Sequence, residues 1–161
     1  MDFAGQGDLE LQFQVERLLA RYVHCIDDGR LEEWPAFFTE DCVYRVISRE
    51  NADRGLPAAA IFCDSRRMLV DRVVSARNAN IYERHHYRHL VSSVVVERGA
   101  RELLATSNYA VYRTRTDGAT ALYNAGRYQD RIVVEDGLWL FREKVAIFDT
   151  HRIDTLLVTP L

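Results

Sequence analysis

Apolar residues near the start of the chain recur at the three- and four-residue spacing of a helix. The pattern runs from Leu9 to Ile26, and Asp8 stands before it as a possible N-cap. Gly29 follows and is expected to end the helix, because glycine readily takes the left-handed conformation of a helix C-terminus. The residues that define the pattern are Phe13, Leu18, Leu19, Tyr22, Val23 and Ile26.

Shorter elements are predicted between this helix and the middle of the chain. In chain order they are a helix from Leu31 to Phe38, a strand from Cys42 to Ser48, a short apolar run from Ala58 to Cys63 and a helix from Asp64 or Ser65 to about Ala76. The expected inward-facing residues are Trp34, Phe37 and Phe38 in the first of these helices, and Met68, Leu69, Val73 and Val74 in the second.

The second half of the chain alternates between apolar and polar residues in four long segments. Gly99, Asp117-Gly118 and Asp136-Gly137 separate them at hairpin positions. Strands this long must curl to bury one face, which predicts an α+β cone of cystatin-like or nuclear-transport-factor-2-like architecture. Its N-terminal helices would pack on a curved, mixed but mostly antiparallel sheet. The predicted strands are His86 to Glu97, Glu102 to Thr114, Thr120 to Val134 and Leu138 to Thr150; Gly126, inside one of them, indicates a bulge or a close backbone approach.

Composition narrows the class of protein. The 161 residues are expected to form a single domain, with residues 1–8 a flexible N-terminus. A net charge of −3 argues against nucleic acid as a partner, and no apolar run approaches the roughly 18 residues of a membrane span. Three widely spaced cysteines and an N-terminal stretch without signal-peptide character predict reduced thiols and a cytoplasmic protein.

Arginine dominates the basic residues. Lys144 is the single lysine among the 21 Lys and Arg residues, and arginines crowd the segment from Arg49 to Leu90. A GC-rich genome would explain this bias, and so would selection for interface pairing, because arginine binds carboxylates bidentately and is enriched in protein interfaces. The apolar end of the chain (Ile153, Leu156, Leu157, Val158 and Leu161) is expected to pack against a neighbouring subunit or to close the cone.

The titratable residues give weak indications of chemistry. A Rieske cluster needs Cys-x-His and Cys-x-x-His, and this sequence has neither. Glu83, His85 and His89 would share one face of a strand, but ligands four residues apart in a strand lie about 13 Å apart, too far for one ion. His24 is interpreted as a partly buried histidine rather than a base. Asp27 and Asp28 are interpreted as polar residues ending a helix, with a general base at the mouth of the cone as the alternative.

Motifs along nearly the whole chain, from about Val15 to Leu161, resemble the beta (small) subunits of Rieske-type aromatic-ring-hydroxylating dioxygenases. The branch that acts on aromatic carboxylates such as benzoate, anthranilate, salicylate or terephthalate is the most similar. The matching residues are Glu33-Trp34-Pro35 to Phe38, Glu40-Asp41-Cys42, Arg49-Glu50-Asn51, Gly55-Leu56-Pro57, Asp64-Ser65, Met68-Leu69, Asp71-Arg72, Ala79 to His85, Tyr87-Arg88-His89, Ala125 to Tyr128, Asp154 to Leu157 and Pro160-Leu161.

This resemblance implies a structural subunit of an α3β3 heterohexamer with beta–beta contacts. The large subunit would carry the Rieske [2Fe-2S] cluster and the mononuclear Fe(II), and a reductase or ferredoxin would act on the complex indirectly. This chain is expected to have no catalytic, cofactor or metal residues of its own. The candidate interface residues are Tyr82, Arg84, His85, Arg88, Leu156, Leu157 and Leu161.

Two rival functions use the same fold. One is a stand-alone dehydratase or cyclase, in which a buried carboxylate with a raised pKa would act as acid or base. The other is a carrier without chemistry. A polar-lined cavity would favour either rival, whereas a cone filled by aromatic and leucine side chains would exclude both. The cavity residues available for the enzyme are Tyr22, Asp27, Tyr44, His85 and Asn108.

Overall fold

A computed structural model describes residues 5, 7–78, 84–149, 157 and 159–161. The helices are α1 (Asp8–Asp27), α2 (Arg49–Asp53) and α3 (Arg66–Asn78), and a 3-10 turn covers Trp34–Phe37. The strands are β1 (Phe38–Ser48), β2 (Ile61–Cys63), β3 (His85–Arg98), β4 (Leu103–Arg115), β5 (Thr120–Glu135) and β6 (Leu138–Phe148). None of the helices in these ranges is both long enough and apolar enough to span a membrane.

The predicted first helix is confirmed, with a different cap. Gly7 occupies the N-cap position without a side-chain hydrogen bond, and Asp8 lies in the first turn, where its charge favours the helix dipole. Gly29 follows the helix with φ +71°, as its predicted role requires. Phe13, one of the residues that define the helical pattern, is 54% exposed and lies on the solvent side under the Arg17 guanidinium.

The short elements depart from their predictions. The predicted helix from Leu31 to Phe38 is only the 3-10 turn, and β1 begins immediately after it at Phe38. Helix α2 was not predicted; its N-cap Ser48 accepts a hydrogen bond from the Asn51 N–H. In α3 the buried stripe is Leu69, Val73 and Ala76, at spacings of four and three residues. The inward orientation predicted for Met68 and Val74 is wrong, because both flank this stripe and are exposed.

The predicted four-strand meander is present, with the predicted hairpin turn at Asp136-Gly137 and the predicted close approach at Gly126. The six-stranded sheet has the order β2-β1-β6-β5-β4-β3; β1 pairs with β6 in parallel and the other pairs are antiparallel. Asp136 and Gly137 both have positive φ, which suits a tight hairpin turn. A Cβ on Gly126 would collide with the Ile147 carbonyl, so the predicted close backbone approach is confirmed.

Helix α1 lies along the edge strand β3 and satisfies part of its open edge. The Gln12 side chain donates to the Val94 carbonyl at 2.9 Å, and the Asp27 carboxylate accepts the His89 backbone N–H at 2.9 Å. An unprotected edge strand is a template for unwanted pairing, and these side chains occupy its hydrogen-bonding groups. The helix therefore both fills the concave face of the sheet and covers one edge.

Candidate functional site

The interior of the cone is filled by aromatic side chains in edge-to-face contact. The Trp34 ring lies 5.0 Å from Tyr44 and 5.6 Å from Phe38, and Tyr22 lies 5.4 Å from Phe141, measured between centroids. All five are completely buried. The predicted core role of Trp34 and Phe38 is confirmed, and Phe37 is partly buried against the same cluster. A cone packed in this way is the arrangement expected to exclude both rivals.

The end of the sequence is part of this filling. The Tyr22 hydroxyl donates to the main-chain oxygen of Leu161 at 2.8 Å, and the Tyr44 hydroxyl donates to the same oxygen at 3.2 Å. The Leu161 N–H donates to the Tyr44 hydroxyl at 2.9 Å. Leu161 is fully buried, and Arg72 donates to the Leu157 carbonyl at 2.6 Å. The prediction that the apolar end closes the cone is confirmed for Leu157 and Leu161; Ile153, Leu156 and Val158 lie outside the described residues.

The single lysine of the chain lies inside the cone. Lys144 Nζ donates to both carboxylate oxygens of Asp130 at 3.1 Å and lies 3.7 Å from the centroid of the Tyr128 ring. The rings of Tyr22 and Phe141 also face the ammonium group. Burial raises the pKa of Asp130 to about 6 and lowers the pKa of Lys144, while the attraction between the two groups opposes both shifts. The sequence singled out Lys144 by its rarity but gave no indication of its partner.

A second buried pair joins α1 to β3. His89 Nδ1 lies 2.6 Å from Asp27 Oδ1, and the two side chains are 0% and 2% exposed. Asp27 is the last residue of α1 and Asp28 is its C-cap, so the helix-end interpretation is confirmed for both. The Asp27 side chain in addition reaches across to β3. The alternative role of a general base stays a prediction: the Asp27 carboxylate is 2% exposed and accepts the His89 backbone N–H besides contacting its ring. His24, one turn earlier, is exposed rather than partly buried, because it lies on the outer side of α1.

Of the five residues available to a stand-alone enzyme, only Asp27 and His85 line a common cavity. Tyr22 and Tyr44 bind Leu161, and Asp27 pairs with His89 instead of His85. His85 stacks on Tyr87 at 4.6 Å. Asn108 is exposed on the opposite, convex face of the sheet. A cavity of about 220 Å³ at the mouth of the cone is lined by Ile26, Asp27, Asp28, Gly29, Leu31, Arg77, His85, His86, Tyr87 and Thr159.

Three arginines of α3 bind acceptors within the chain: Arg66, Arg72 and Arg77. Arg66 binds the Glu40 carboxylate and the Phe38 carbonyl, and Arg77 binds Glu32 at 2.7 Å. The acceptors of Arg66 and Arg77 are therefore on the segments before and within β1, whereas the sequence suggested Asp71 or Glu83, of which Glu83 lies outside the described residues. The reason is geometric: these side chains extend away from α3 towards the start of β1 and the loop after α1.

The candidate interface residues fall into three groups. Arg84 and Arg88 are exposed at the start of the edge strand β3, beside the partly buried His85. Leu157 and Leu161 are buried against the core of this chain. Tyr82 and Leu156 lie outside the described residues. The exposed candidates Arg84 and Arg88 lie on the outward face of this strand, which we call the β3 surface, whereas His85 lies on the inward face beside Tyr87.

The groups present do not fit an iron centre. Across the described ranges there is no cluster of three or more histidine, cysteine or carboxylate side chains that could hold a metal ion. Cys25, Cys42 and Cys63 are buried free thiols, and burial raises the pKa of Cys25 and Cys42 to about 11, which disfavours the thiolate that a cluster requires. His85 and His89 lie in strand β3, as predicted.

The comparisons with a protein family, with sequence relatives and with solved structures give consistent results. Residues 7–145 match the SnoaL-like domain. Over 96% of each chain the sequence is 46% identical to the anthranilate 1,2-dioxygenase small subunit of Burkholderia cepacia. It is 38% identical to a beta subunit of the terephthalate 1,2-dioxygenase terminal oxygenase component of a Comamonas species, over 93% of this chain and 98% of that one. The beta subunit of a putative aromatic-ring-hydroxylating dioxygenase from Novosphingobium aromaticivorans superimposes with a TM-score of 0.85 at 45% identity, covering 94% of this chain and 97% of that one.

Proposed function

Because this chain belongs to the family of small (beta) subunits of aromatic-ring-hydroxylating dioxygenases, within the SnoaL-like fold, we propose that it is a structural subunit that assembles with and stabilises a catalytic large subunit. The proposed complex is an α3β3 heterohexamer with beta–beta contacts, and residues 1–161 act in it as one domain. Electrons would reach the large subunit from a reductase or ferredoxin that does not bind this chain directly.

The filled cone is the observation that carries the structural role. In this fold the concave face of the sheet offers the natural space for a substrate, and here Trp34, Tyr22, Tyr44 and Leu161 occupy it. The charged groups inside are satisfied by one another, as in the pair of Lys144 with Asp130. The side chains of Lys144 and Asp130 are 0% and 1% exposed, so neither group is open to a substrate outside the core.

The iron centres are assigned to the large subunit. A Rieske cluster needs two thiolates and two imidazoles, and a mononuclear oxygenase iron needs two histidines and a carboxylate with open positions. The cysteines of this chain are separate and buried, and the His89 imidazole is bound to Asp27. What this chain supplies is a rigid scaffold, in which helix α1 fixes the edge of the sheet that the partner would meet.

The β3 surface is the proposed contact with another subunit. Arg84 and Arg88 are exposed on it, and a guanidinium group can bind a carboxylate or a carbonyl with two parallel hydrogen bonds. Of the other interface candidates, Leu157 and Leu161 are buried in the core of this chain, and Tyr82 and Leu156 stay predictions. The contact would resemble other interfaces in which a few arginine and aromatic residues supply most of the binding energy.

The proposed substrates of the assembled enzyme are aromatic carboxylates. The relatives at 46% and 38% identity are small subunits of dioxygenases named for anthranilate and terephthalate. We expect the substrate pocket to lie in the large subunit. The similarity of this chain to those small subunits therefore indicates the class of substrate, but this chain would not form the pocket.

Co-expression with the large chain encoded in the same genome tests the assignment. The large chain is recognised by its Cys-x-His and Cys-x-x-His motifs. We expect the tagged small chain to co-purify with it in a complex whose mass fits three copies of each, with iron and ring-hydroxylating activity on an aromatic acid. The small chain alone should contain no stoichiometric iron. Recovery of the small chain as a free protein beside an active large-subunit trimer would contradict the structural role.

A further inference from the structure

The convex face of the sheet contains a groove at the end where β3 and β5 finish and β4 and β6 begin. Its volume is about 310 Å³, and Val95, Glu97, Leu104 and Glu143 are among the residues that line it. Val95 and Leu104 are 56% and 38% exposed, so the groove offers uncovered apolar surface between its carboxylates. We call these four residues the acidic groove.

The carboxylates of this region share the guanidinium group of Arg131. Its Nε lies 3.4 Å from the Glu102 carboxylate and 3.8 Å from the Glu143 carboxylate. Glu97 is exposed, and no residue in the described part of the chain forms an ion pair with it. A cation from another molecule would therefore meet a free carboxylate beside apolar side chains.

The opposite end of the same face carries the complementary groups. Arg88 on β3, Tyr112 on β4 and Leu122 on β5 lie side by side in one cross-strand row. Leu90 follows two residues after Arg88 on the same face, and Leu90, Tyr112 and Leu122 are 54%, 39% and 58% exposed. Contiguous apolar surface with tyrosine and arginine is typical of protein contacts. We call Arg88, Leu90, Tyr112 and Leu122 the arginine patch.

A bulge in β3 places both regions on one face of the sheet. The register of β3 on β4 shifts between Ser92 and Val95, and Ser93 has φ +53°. Side chains alternate along a strand, so Arg88 and Glu97, nine residues apart, would face opposite sides without this extra residue. With the bulge both face outward, roughly 30 Å apart along the strand. That distance excludes an ion pair between them within one chain.

We propose that the arginine patch of one small chain docks in the acidic groove of a second copy, with Arg88 against Glu97 and the apolar side chains of the two surfaces against each other. The inference rests on the proposed function, in which small subunits contact one another, and it names the residues of that contact. Opposite charge and matching apolar surface on the two regions are the complementarity that selects a partner and its orientation.

The contact joins two different surfaces, so each chain gives its patch to one neighbour and its groove to another. Such head-to-tail contacts close into a ring when the rotation between neighbours fits. The ends of a twisted, curved sheet face in different directions, which supplies a rotation. The expected ring has three chains, as the proposed hexamer requires. Arg84, before the first residue of β3, lies outside this contact and stays available to the large subunit.

Charge reversal in the complete small chain tests the contact. Arg88→Glu and Glu97→Arg each bring like charges together, and we expect each to weaken self-association about tenfold or more in sedimentation equilibrium at low ionic strength. The chain that carries both reversals should recover to within about threefold of the wild type, because its groove and patch are again opposite in charge. Since the two residues are too far apart to pair within one chain, this recovery requires contact between copies.

Two controls show that the effect belongs to these surfaces. Arg67→Glu and Asp71→Arg reverse exposed charges on α3, away from the convex face, and should leave self-association unchanged. All variants should keep the melting temperature of the wild type, because the four side chains are exposed. The doubly reversed chain should also fail to form mixed rings with the wild type, since each groove would then meet a patch of its own charge.

Co-expression with the large chain separates this contact from the structural role. A wild-type chain that self-associates through these residues but retains no large chain contradicts only the structural role. A monomeric wild-type chain, unchanged self-association in both single reversals, or no recovery in the doubly reversed chain would overturn the contact. Loss of the large chain from Glu97→Arg with normal self-association would assign the groove to the large subunit and would overturn it as well.

Discussion

Strand β3 presents two different surfaces, and the contrast separates side chains that bind within the chain from side chains that are open to solvent. On the inward side, Tyr87 and His89 are buried, and His89 is bound to Asp27. On the outward side, Arg88 and Leu90 are exposed on the same strand. On the inner side, Asp27 pairs with His89, and Asp130 pairs with Lys144. On the outer side, the guanidinium groups of Arg84 and Arg88 are exposed to solvent.

The difference shows where polar residues are structural and where they are available. Asp130, Lys144, Asp27 and His89 act by holding one another, because an unpaired charge in this interior would cost several kcal/mol. An exposed arginine without an ion-pair partner lowers the free energy of unfolding very little. Its guanidinium group therefore stays available to bind a carboxylate on another subunit. Substitutions on the two sides should therefore have opposite effects on the isolated chain and on its assembly.

The largest effect is expected at Lys144. Lys144→Met leaves the Asp130 carboxylate buried without its cation, and we expect the free energy of unfolding to fall by about 3–5 kcal/mol in urea titrations. The double variant Lys144→Met with Asp130→Leu removes both charges and should recover most of this loss. A loss below about 1 kcal/mol for the single variant would contradict the claim that the buried Asp130 carboxylate needs Lys144 as its partner.

A smaller loss is expected at Asp27. Asp27→Ala removes two acceptors at once, one for the His89 ring and one for its backbone N–H, and should lower the free energy of unfolding by about 2–3 kcal/mol. The neighbouring Asp28 is exposed and serves as the control, because Asp28→Ala should change stability by no more than about 0.5 kcal/mol. Equal effects of the two substitutions would remove the distinction between the inner and outer sides.

These pairs mark the limit of what the sequence could predict. Periodicity identified α1, α3 and the four-strand meander, since those patterns repeat over many residues. It overextended the helix at Trp34, because Pro35 and neighbouring aromatic residues are equally compatible with a single turn before a strand. Asp27 meets His89, 62 residues away, through the packing of α1 on β3, which no local pattern reports. Lys144 faces Asp130 across the β5–β6 pair, but a register shift between Arg131 and Ile132 sets that pairing, and the sequence pattern does not indicate the shift.

The resemblance of the sequence motifs to a known family predicted features that periodicity alone did not. It indicated the family and the cone, which are confirmed by the match to small-subunit relatives. It could not indicate that Leu161 would lie between Tyr22 and Tyr44, because that contact joins residues more than a hundred positions apart. Composition drew attention to arginine, yet several arginines of α3 proved to be paired within the chain.

The titration of Asp130 gives the interior of the cone a pH dependence. Its pKa is raised to about 6 in the folded chain by burial, above the unfolded value near 3.9, so the folded state binds more protons between these two pH values. Stability contributed by this group therefore rises as pH falls from about 6 to about 4, and is lost as pH rises through the folded pKa. Relative to Asp130→Asn, the wild-type chain should gain about 1–3 kcal/mol between pH 7 and pH 4. A constant difference between the two chains across this range would contradict the raised pKa.

The smallest effect on the isolated chain is expected on the outer side. Arg84→Ala with Arg88→Ala should change the free energy of unfolding of the small chain by no more than about 0.5 kcal/mol, because both side chains are exposed. The same double variant should lower co-purification with the large subunit, since the loss of a desolvated arginine–carboxylate pair costs about 2–5 kcal/mol of binding. Arg101→Ala, an exposed arginine in the turn between β3 and β4, is the matched control and should assemble as the wild type does. Normal assembly of the double variant would place the interface elsewhere, and loss of stability in the isolated chain would show that these arginines belong to the fold rather than to the partner.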